Sequence, residues 1–274
     1  MTAHELYREI QKIFCDNGTF KAAQLLRHFT GLDQLSDVPL PEAQISLITE
    51  SAHRVASGYP LQYIIGEWNF YGLDFYIGEG VLIPRPETEL LVEQAIKILN
   101  TIDSPAVCDL CAGSGCIAVS IAHSINTCRV LAIEKEYTAL DYCRRNVSRN
   151  GVDNLVRVEY GDVLSGPGNI PPESFNMVIS NPPYIKSGDI PALMSEVLFE
   201  PLIALDGGSD GLNFYRSIIE KWTPLLKRSG FILLETGYDQ ADAVSSMLCQ
   251  SGYKDSAIIS DYSGIQRIVS ALKD

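Results

Sequence analysis

Asn181-Pro182-Pro183-Tyr184 follows the apolar run Met177-Val178-Ile179-Ser180. These residue types, in this order, suit holding a flat nitrogen. Asn181 precedes a proline, which pushes its backbone toward extended geometry. Pro182 and Pro183 fix φ and remove two N–H donors, so the carbonyls beside them keep set directions. The Asn181 side-chain oxygen and a neighbouring main-chain carbonyl can together accept both hydrogens of one planar –NH2 group. Tyr184 offers an aromatic face against which an amide or base can lie. Asn181, Pro182 and Tyr184 are therefore the candidate catalytic residues, and with Pro183 they form a candidate substrate loop. The bland alternative is a proline-rich turn after a strand.

A second constellation lies upstream. The short apolar run Ala106–Leu110 leads into Cys111-Ala112-Gly113-Ser114-Gly115-Cys116, which opens a helix. Glycines there let a ligand approach the backbone, and the helix start offers unpaired N–H groups. Glu134, at the end of the next strand, can accept hydrogen bonds from both hydroxyls of a ribose. Alone, Gly113-x-Gly115-x-x-Ala118 with Glu134 also satisfies the dinucleotide fingerprint. Three features favour S-adenosylmethionine. Asp109 gives Asp-x-x-x-Gly-x-Gly, a carboxylate better suited to an ammonium group than to a pyrophosphate. Asp162 and Val163 follow the third strand, where an acid can bond an adenine amino group. Asn181 then ends the fourth. Ligand-facing groups at successive strand ends are more specific than a glycine loop. The candidate cofactor set is Asp109, Cys111, Ala112, Gly113, Ser114, Gly115, Glu134, Asp162, Val163 and Asn181.

Positioning these groups requires a sheet. Apolar runs at Ala106–Leu110, 130–133, Val156–Tyr160, 175–179 and 231–235 alternate with helical stretches such as 137–150. That alternation predicts an α/β fold, a parallel sheet with helices on both faces. Runs 257–259 and 265–270 are separated by too few residues for a crossover helix, so they are expected to form an antiparallel hairpin at a sheet edge. Residues 1–60 read as helical, with Leu6, Ile10, Ile13 and Phe14, and then Ile45, Ile48 and Ala52, at helical spacing. They serve either as a docking domain or as a packing extension. Residues 61–84 are aromatic, β-branched and glycine-broken, which reads as a β-hairpin linker. Residues 85–274 form the catalytic domain.

The chain has 274 residues, 46% hydrophobic and 20% charged, as expected of a globular protein. Its formal net charge of −13 disfavours an extended nucleic-acid partner. No apolar run reaches the length of a membrane span, and no signal region opens the chain, so a cytoplasmic location without a membrane partner is expected. Seven cysteines and four scattered histidines give no framework spacing, which fits free thiols. Cys108 and Cys111 form a C-x-x-C with no second pair; they read as small buried thiols, and no metal site is expected. Arg144, Arg145 and Arg149 read as a solvated face. Glu235 either lines the pocket or makes structural hydrogen bonds.

Taken together, these motifs resemble the Class I (Rossmann-like) S-adenosylmethionine-dependent methyltransferases, and more narrowly the bacterial release-factor glutamine N5-methyltransferases. The resemblance rests on the helical start, the hairpin, Pro84-Arg85-Pro86-Glu87-Thr88-Glu89, the glycine loop and Asn181-Pro182-Pro183-Tyr184. The stretch from Glu200-Pro201-Leu202 to Asp210-Gly211-Leu212 is also similar to a segment of that family. The resemblance implies a seven-stranded sheet with an antiparallel C-terminal hairpin, plus a small helical domain. It implies N5-methylation of the glutamine in the Gly-Gly-Gln tripeptide of peptide-chain release factors, with the helical domain helping to grip the factor and no nucleic acid required. Arg85 and Glu87 either border the target channel or pack the linker. Adenine N6-methyltransferases share the Asn-Pro-Pro-Tyr loop but need base flipping and a basic surface. A non-catalytic cofactor-binding protein on the same fold is the other alternative. The family usually carries glycine where this chain has Cys111, so cofactor binding is expected to survive with altered loop geometry.

Overall fold

The computed structural model describes residues 1–14 and 16–274. Cys15, counted above among the free thiols, lies outside the described residues. The chain divides into two units, one of Met1–Glu67 with Met194–Phe199, the other of Trp68–Leu193 with Glu200–Asp274.

The first unit is helical: α1 (Ala3–Gln11), α2 (Gly18–Thr30), α3 (Glu42–Ala56) and α4 (Leu61–Ile65). A reciprocal cap starts α1. Thr2 Oγ1 accepts the Glu5 N–H at 3.2 Å, and Glu5 Oε2 accepts the Thr2 N–H at 2.8 Å. Leu6, Ile10, Ile48 and Ala52, expected from their spacing, are fully buried and form its core together with Leu25 and Leu26. Ile13 and Phe14 fall beyond the end of α1 but still pack on that core. Two features depart from the expected boundaries. Tyr63-Ile64-Ile65 form helix, not strand, because Pro60 starts a turn that Gly66, at φ 78°, closes as a left-handed cap. Met194–Phe199, far along the chain, joins this unit, where Glu196 pairs with Lys21 at 2.7 Å and Phe199 meets Tyr59 edge to face.

The expected hairpin is confined to β1 (Glu67–Phe70) and β2 (Leu73–Tyr76). Pro86 opens α5 (Pro86–Leu99), at the position where a missing N–H costs nothing. The remaining elements are β3 (Ala106–Leu110), α6 (Cys116–Ser124), β4 (Arg129–Glu134), α7 (Tyr137–Arg149), β5 (Val156–Tyr160), β6 (Phe175–Ser180), α8 (Asn213–Ser217), β7 (Leu226–Glu235), α9 (Ala241–Gln250), β8 (Lys254–Ser260) and β9 (Gln266–Leu272). Strand β7 begins five residues before the apolar run that predicts it: buried Leu226 pairs with Phe175, and the register then shifts across a bulge whose residues include the exposed Arg228 and Ser229 before the run resumes at Phe231.

Seven strands form one sheet in the order β5-β4-β3-β6-β7-β9-β8. Strands β3 to β7 pair in parallel, and β9 runs antiparallel to both β7 and β8, the hairpin expected at the edge. Two apolar layers cover its faces. Leu91, Val92, Ala95 and Leu99 of α5 and the almost wholly buried α6 belong to one; Trp222, Tyr215, Val244 and Leu248 belong to the other. Chain order reverses at β3, with β4 on one side and β6 on the other. In an open α/β sheet the crevice beyond such a reversal, at the carboxyl ends of the strands, is where ligands bind.

Candidate active site

A cavity of about 560 Å³ opens at that reversal, lined from the ends of β3, β4 and β6, from the loop after β5, and from 201–214. Of the expected cofactor set, Cys111, Ala112, Gly113, Ser114, Glu134, Asp162, Val163 and Asn181 lie on its wall. Arg85 and Pro183 of the expected substrate set do too.

Glu134 is built into the glycine loop. Its Oε2 accepts the Gly113 N–H at 2.8 Å, and its Oε1 accepts the N–H groups of Lys135 and Glu136 at 2.7 and 2.8 Å. Burial pushes its carboxyl above the ordinary range, while those three N–H groups pull it back. Asp162 shows the opposite balance. Burial raises its carboxyl, but Lys135 at 3.0 Å and the Leu164 N–H at 2.9 Å outweigh it and hold it below the usual range.

Asp109 departs from expectation. It is fully buried beneath the loop and absent from the cavity wall. Its Oδ2 accepts the Ala118 N–H at 3.1 Å, and Oδ1 has no partner. Burial pushes its carboxyl up to about 8. A carboxylate four residues before a glycine loop can turn back on the first helical turn as readily as forward onto a ligand, and here it turns back. Gly115 is also off the wall. Its φ of 80° and its approach to Cys143, whose Sγ lies 2.6 Å from where a Cβ would stand, make it a packing glycine.

Asn181 stands where β6 ends, and its Nδ2 donates to Thr88 Oγ1 at 3.1 Å. Pro182 is buried and Tyr184 half-buried, both off the cavity wall. The loop is held from behind. Gln240 Nε2 donates to the Tyr184 carbonyl at 2.8 Å, and Ile185 exchanges backbone bonds with Leu205 and Gly207 at 2.9 and 2.8 Å. Gly207 comes so close that a Cβ there would lie 2.7 Å from Tyr184 Cα. Burial, then the charge of Glu235, raises the Tyr184 hydroxyl to about 12. Glu87 is half-buried and off the wall, whereas Arg85 pairs with the buried Glu200, whose Oε2 also accepts the Ile83 N–H at 3.0 Å. Glu235 is buried behind Thr88, not on the wall.

The remaining candidates have structural partners. Cys108 is fully buried in β3. Arg145 and Arg149 lie over the Tyr76 ring at 4.9 and 4.2 Å, and Arg149 approaches Asp74 at 3.7 Å, so two of the three helix arginines pack on the hairpin. Asn146 of α7 joins that hairpin to the glycine loop. It exchanges bonds with the Tyr76 backbone at 2.6 and 3.0 Å and donates to the Ser114 carbonyl at 2.9 Å.

Comparison with known proteins places this geometry. The PrmC N-terminal domain family model matches residues 6–66, and the Methyltransferase small domain model matches 86–204. A release factor glutamine methyltransferase from Thermodesulfovibrio yellowstonii is 37% identical, over 98% of this chain and 97% of its own. The chain belongs to the release factor glutamine methyltransferase family. A member from Geobacter sulfurreducens is 36% identical, over 93% of this chain and 89% of its own. Among solved structures, the hMettl16 catalytic domain in complex with MAT2A 3'UTR hairpin 6 covers 81% of each chain at a TM-score of 0.61 and 16% identity. That likeness is one of fold.

Membership in the release factor glutamine methyltransferases makes this chain an enzyme with a methyltransferase domain. Cys111 has φ 58°, in the left-handed region that glycine occupies freely and cysteine does not. Three wall or near-wall residues escaped the sequence reading. Thr88 and Glu200 sit in quoted segments but carry no chemistry in their type alone. Lys135 is one charged residue among many; only its ion pair with Asp162 marks it. Among the described residues no helix is long and apolar enough to cross a membrane.

Proposed function

We propose that the protein transfers a methyl group from S-adenosylmethionine to the glutamine side-chain nitrogen of the Gly-Gly-Gln tripeptide in peptide-chain release factors, in the cytoplasm. The observation that carries this is the state of Asn181. With Nδ2 engaged by Thr88, the acceptor end of its amide is the one left for the cavity.

The residues present fit the cofactor. Glu134, tied down by three N–H groups, offers remaining acceptor capacity to a ribose diol. Asp162 offers an acceptor to an adenine amino group, with the buried Val163 beside it. The glycine loop brings backbone close. Acids on the wall also favour a cationic ligand. When bound, S-adenosylmethionine supplies an electrophilic methyl group on a positively charged sulfur.

An amide nitrogen is a poor nucleophile because its lone pair is delocalised into the carbonyl. Asn181 Oδ1 and the Pro182 carbonyl accept the two amide hydrogens, fix the nitrogen and favour its pyramidal form. Positive charge grows on that nitrogen during transfer, so both acceptors bind the transition state more strongly than the ground state. Tyr184 packs against the amide plane. No His or Lys base is needed, because the methylated amide nitrogen is a strong acid while charged. Arg85, oriented by Glu200, borders the entrance for the target segment, and Glu87 lies nearby. Asp109 acts from beneath, shaping the loop. The helical unit contributes to gripping the factor.

Incubation with methyl-labelled cofactor, a release factor and duplex DNA tests this. Label is expected on the glutamine and is lost when that glutamine is replaced. Label in the DNA, or none anywhere despite cofactor binding, would overturn it.

A further inference from the structure

Behind Asn181 lie two buried polar residues that the proposed chemistry does not use. Thr88, on the first turn of α5, and Glu235, the last residue of β7, are each 2% exposed. Thr88 Oγ1 accepts the Asn181 Nδ2 hydrogen at 3.1 Å. A hydroxyl carries one proton, and having accepted from Asn181 it has that proton to give elsewhere. The Glu235 carboxyl is beside it, and Thr88 is the first of the groups that pull that carboxyl back down against burial. Its Oε2 is buried with no partner. Tyr215, another buried donor close by, gives its hydroxyl to the Glu235 main-chain oxygen at 2.9 Å and not to the carboxyl.

We infer that Thr88 and Glu235 are a positioning pair that fixes which end of the Asn181 amide faces the cavity. This rests on the methyl-transfer reading above. An ionised carboxylate only accepts, so Glu235 draws the Thr88 proton to itself. The lone pairs of Thr88 are then turned to Asn181, which answers with Nδ2–H and presents Oδ1 to the substrate nitrogen. A protonated Glu235 reverses the direction. It can donate to Thr88, the Thr88 proton is released toward Asn181, and the amide can rotate by half a turn to accept it. Nδ2 would then face the substrate –NH2, donor against donor, and transfer stalls.

The surroundings allow Glu235 to be protonated in a physiological range. Burial raises its carboxyl to about 7, with Glu87 adding to the rise and Thr88, Arg267 and Arg85 opposing it. Tyr184, Tyr215 and Cys116 also face it, all with protons held firmly by burial.

The test uses Thr88→Val, Thr88→Ser and Glu235→Gln in the full chain, with glutamine methylation by the wild type as the reference. Thr88→Val is nearly isosteric and should lower kcat by about tenfold to a hundredfold, in the range for loss of one oriented hydrogen bond, with cofactor Kd unchanged. Thr88→Ser should restore most of kcat. Wild-type kcat should fall on acidification through about 7; Glu235→Gln should be slow and flat across that range. A second readout needs no turnover: in the cofactor-free protein the Asn181 side-chain ¹⁵N–¹H2 signals should titrate with pH, and should not in Glu235→Gln. If wild type methylates glutamine but Thr88→Val keeps full kcat, or the Asn181 signals ignore pH, the pair has no such role. If wild type does not methylate glutamine, the functional reading fails instead, and the side-chain titration still judges the pair.

Discussion

The Gly113 N–H points into the Glu134 carboxylate at 2.8 Å, so the loop after β3 is shaped by the residue that ends β4. Glu134 therefore both orders the glycine loop and stands on the cavity wall. Replacing it with alanine removes an acceptor from the ligand and from three backbone donors. Glu134→Ala should weaken S-adenosylmethionine binding by roughly tenfold to a hundredfold, the scale of a charged hydrogen bond. Calorimetry showing unchanged affinity would remove Glu134 from the cofactor site.

Asn181→Ala should separate chemistry from binding. Turnover is expected to fall on the order of a hundredfold or more, as when one preorganised group at a reacting centre is lost. Cofactor affinity should change far less. Single-turnover rates beside equilibrium titrations give the comparison, and wild-type turnover would count against the mechanism.

Gly207 tests whether the catalytic loop depends on its backing. A Cβ there would meet Tyr184 Cα at 2.7 Å and the Pro183 carbonyl at 2.9 Å, both backbone atoms that must move. Gly207→Ala should cost about 1–3 kcal/mol of stability and depress kcat strongly, since about 1 Å of misplacement can cost a hundredfold. A folded variant with full kcat would show that the loop tolerates displacement.

Asp109 makes a prediction about pH. Its carboxyl is raised by burial from 3.8 to about 8. Between those values the unfolded chain has lost the proton that the folded chain keeps, so stability falls as pH rises, and the fall ends above about 8. Asp109→Asn keeps an acceptor for the Ala118 N–H but has no proton to lose. Urea unfolding from pH 5 to 9 should show a shallower decline for the variant. Identical slopes would mean that Asp109 does not carry this dependence.

Much of the fold was legible because its signals are local. Alternating apolar runs and helices follow from the side-chain periods of buried strands and amphipathic helices, and the short 260–264 gap leaves only a hairpin. The helix at Leu61–Ile65 was not legible, since a short apolar stretch fits either state and its Pro60 and Gly66 boundaries decide it. The attachment of Met194–Phe199 to the helical unit was equally hidden. It depends on Lys21 and Tyr59, both more than a hundred residues away in sequence.

The amino-acid order alone determined which groups end the strands: Glu134, Asp162 and Asn181 follow apolar runs whose parallel pairing brings their carboxyl ends to one crevice. It could not determine which way a side chain turns once there. Asp109 turned beneath the loop to the Ala118 N–H, and Cys111 was forced into a left-handed backbone. The Asn181 amide acquired its direction from Thr88, supplied by a helix ninety-three positions earlier. Hydrogen-bond direction belongs to the whole network of donors and acceptors, and that network exists only when distant segments are packed together.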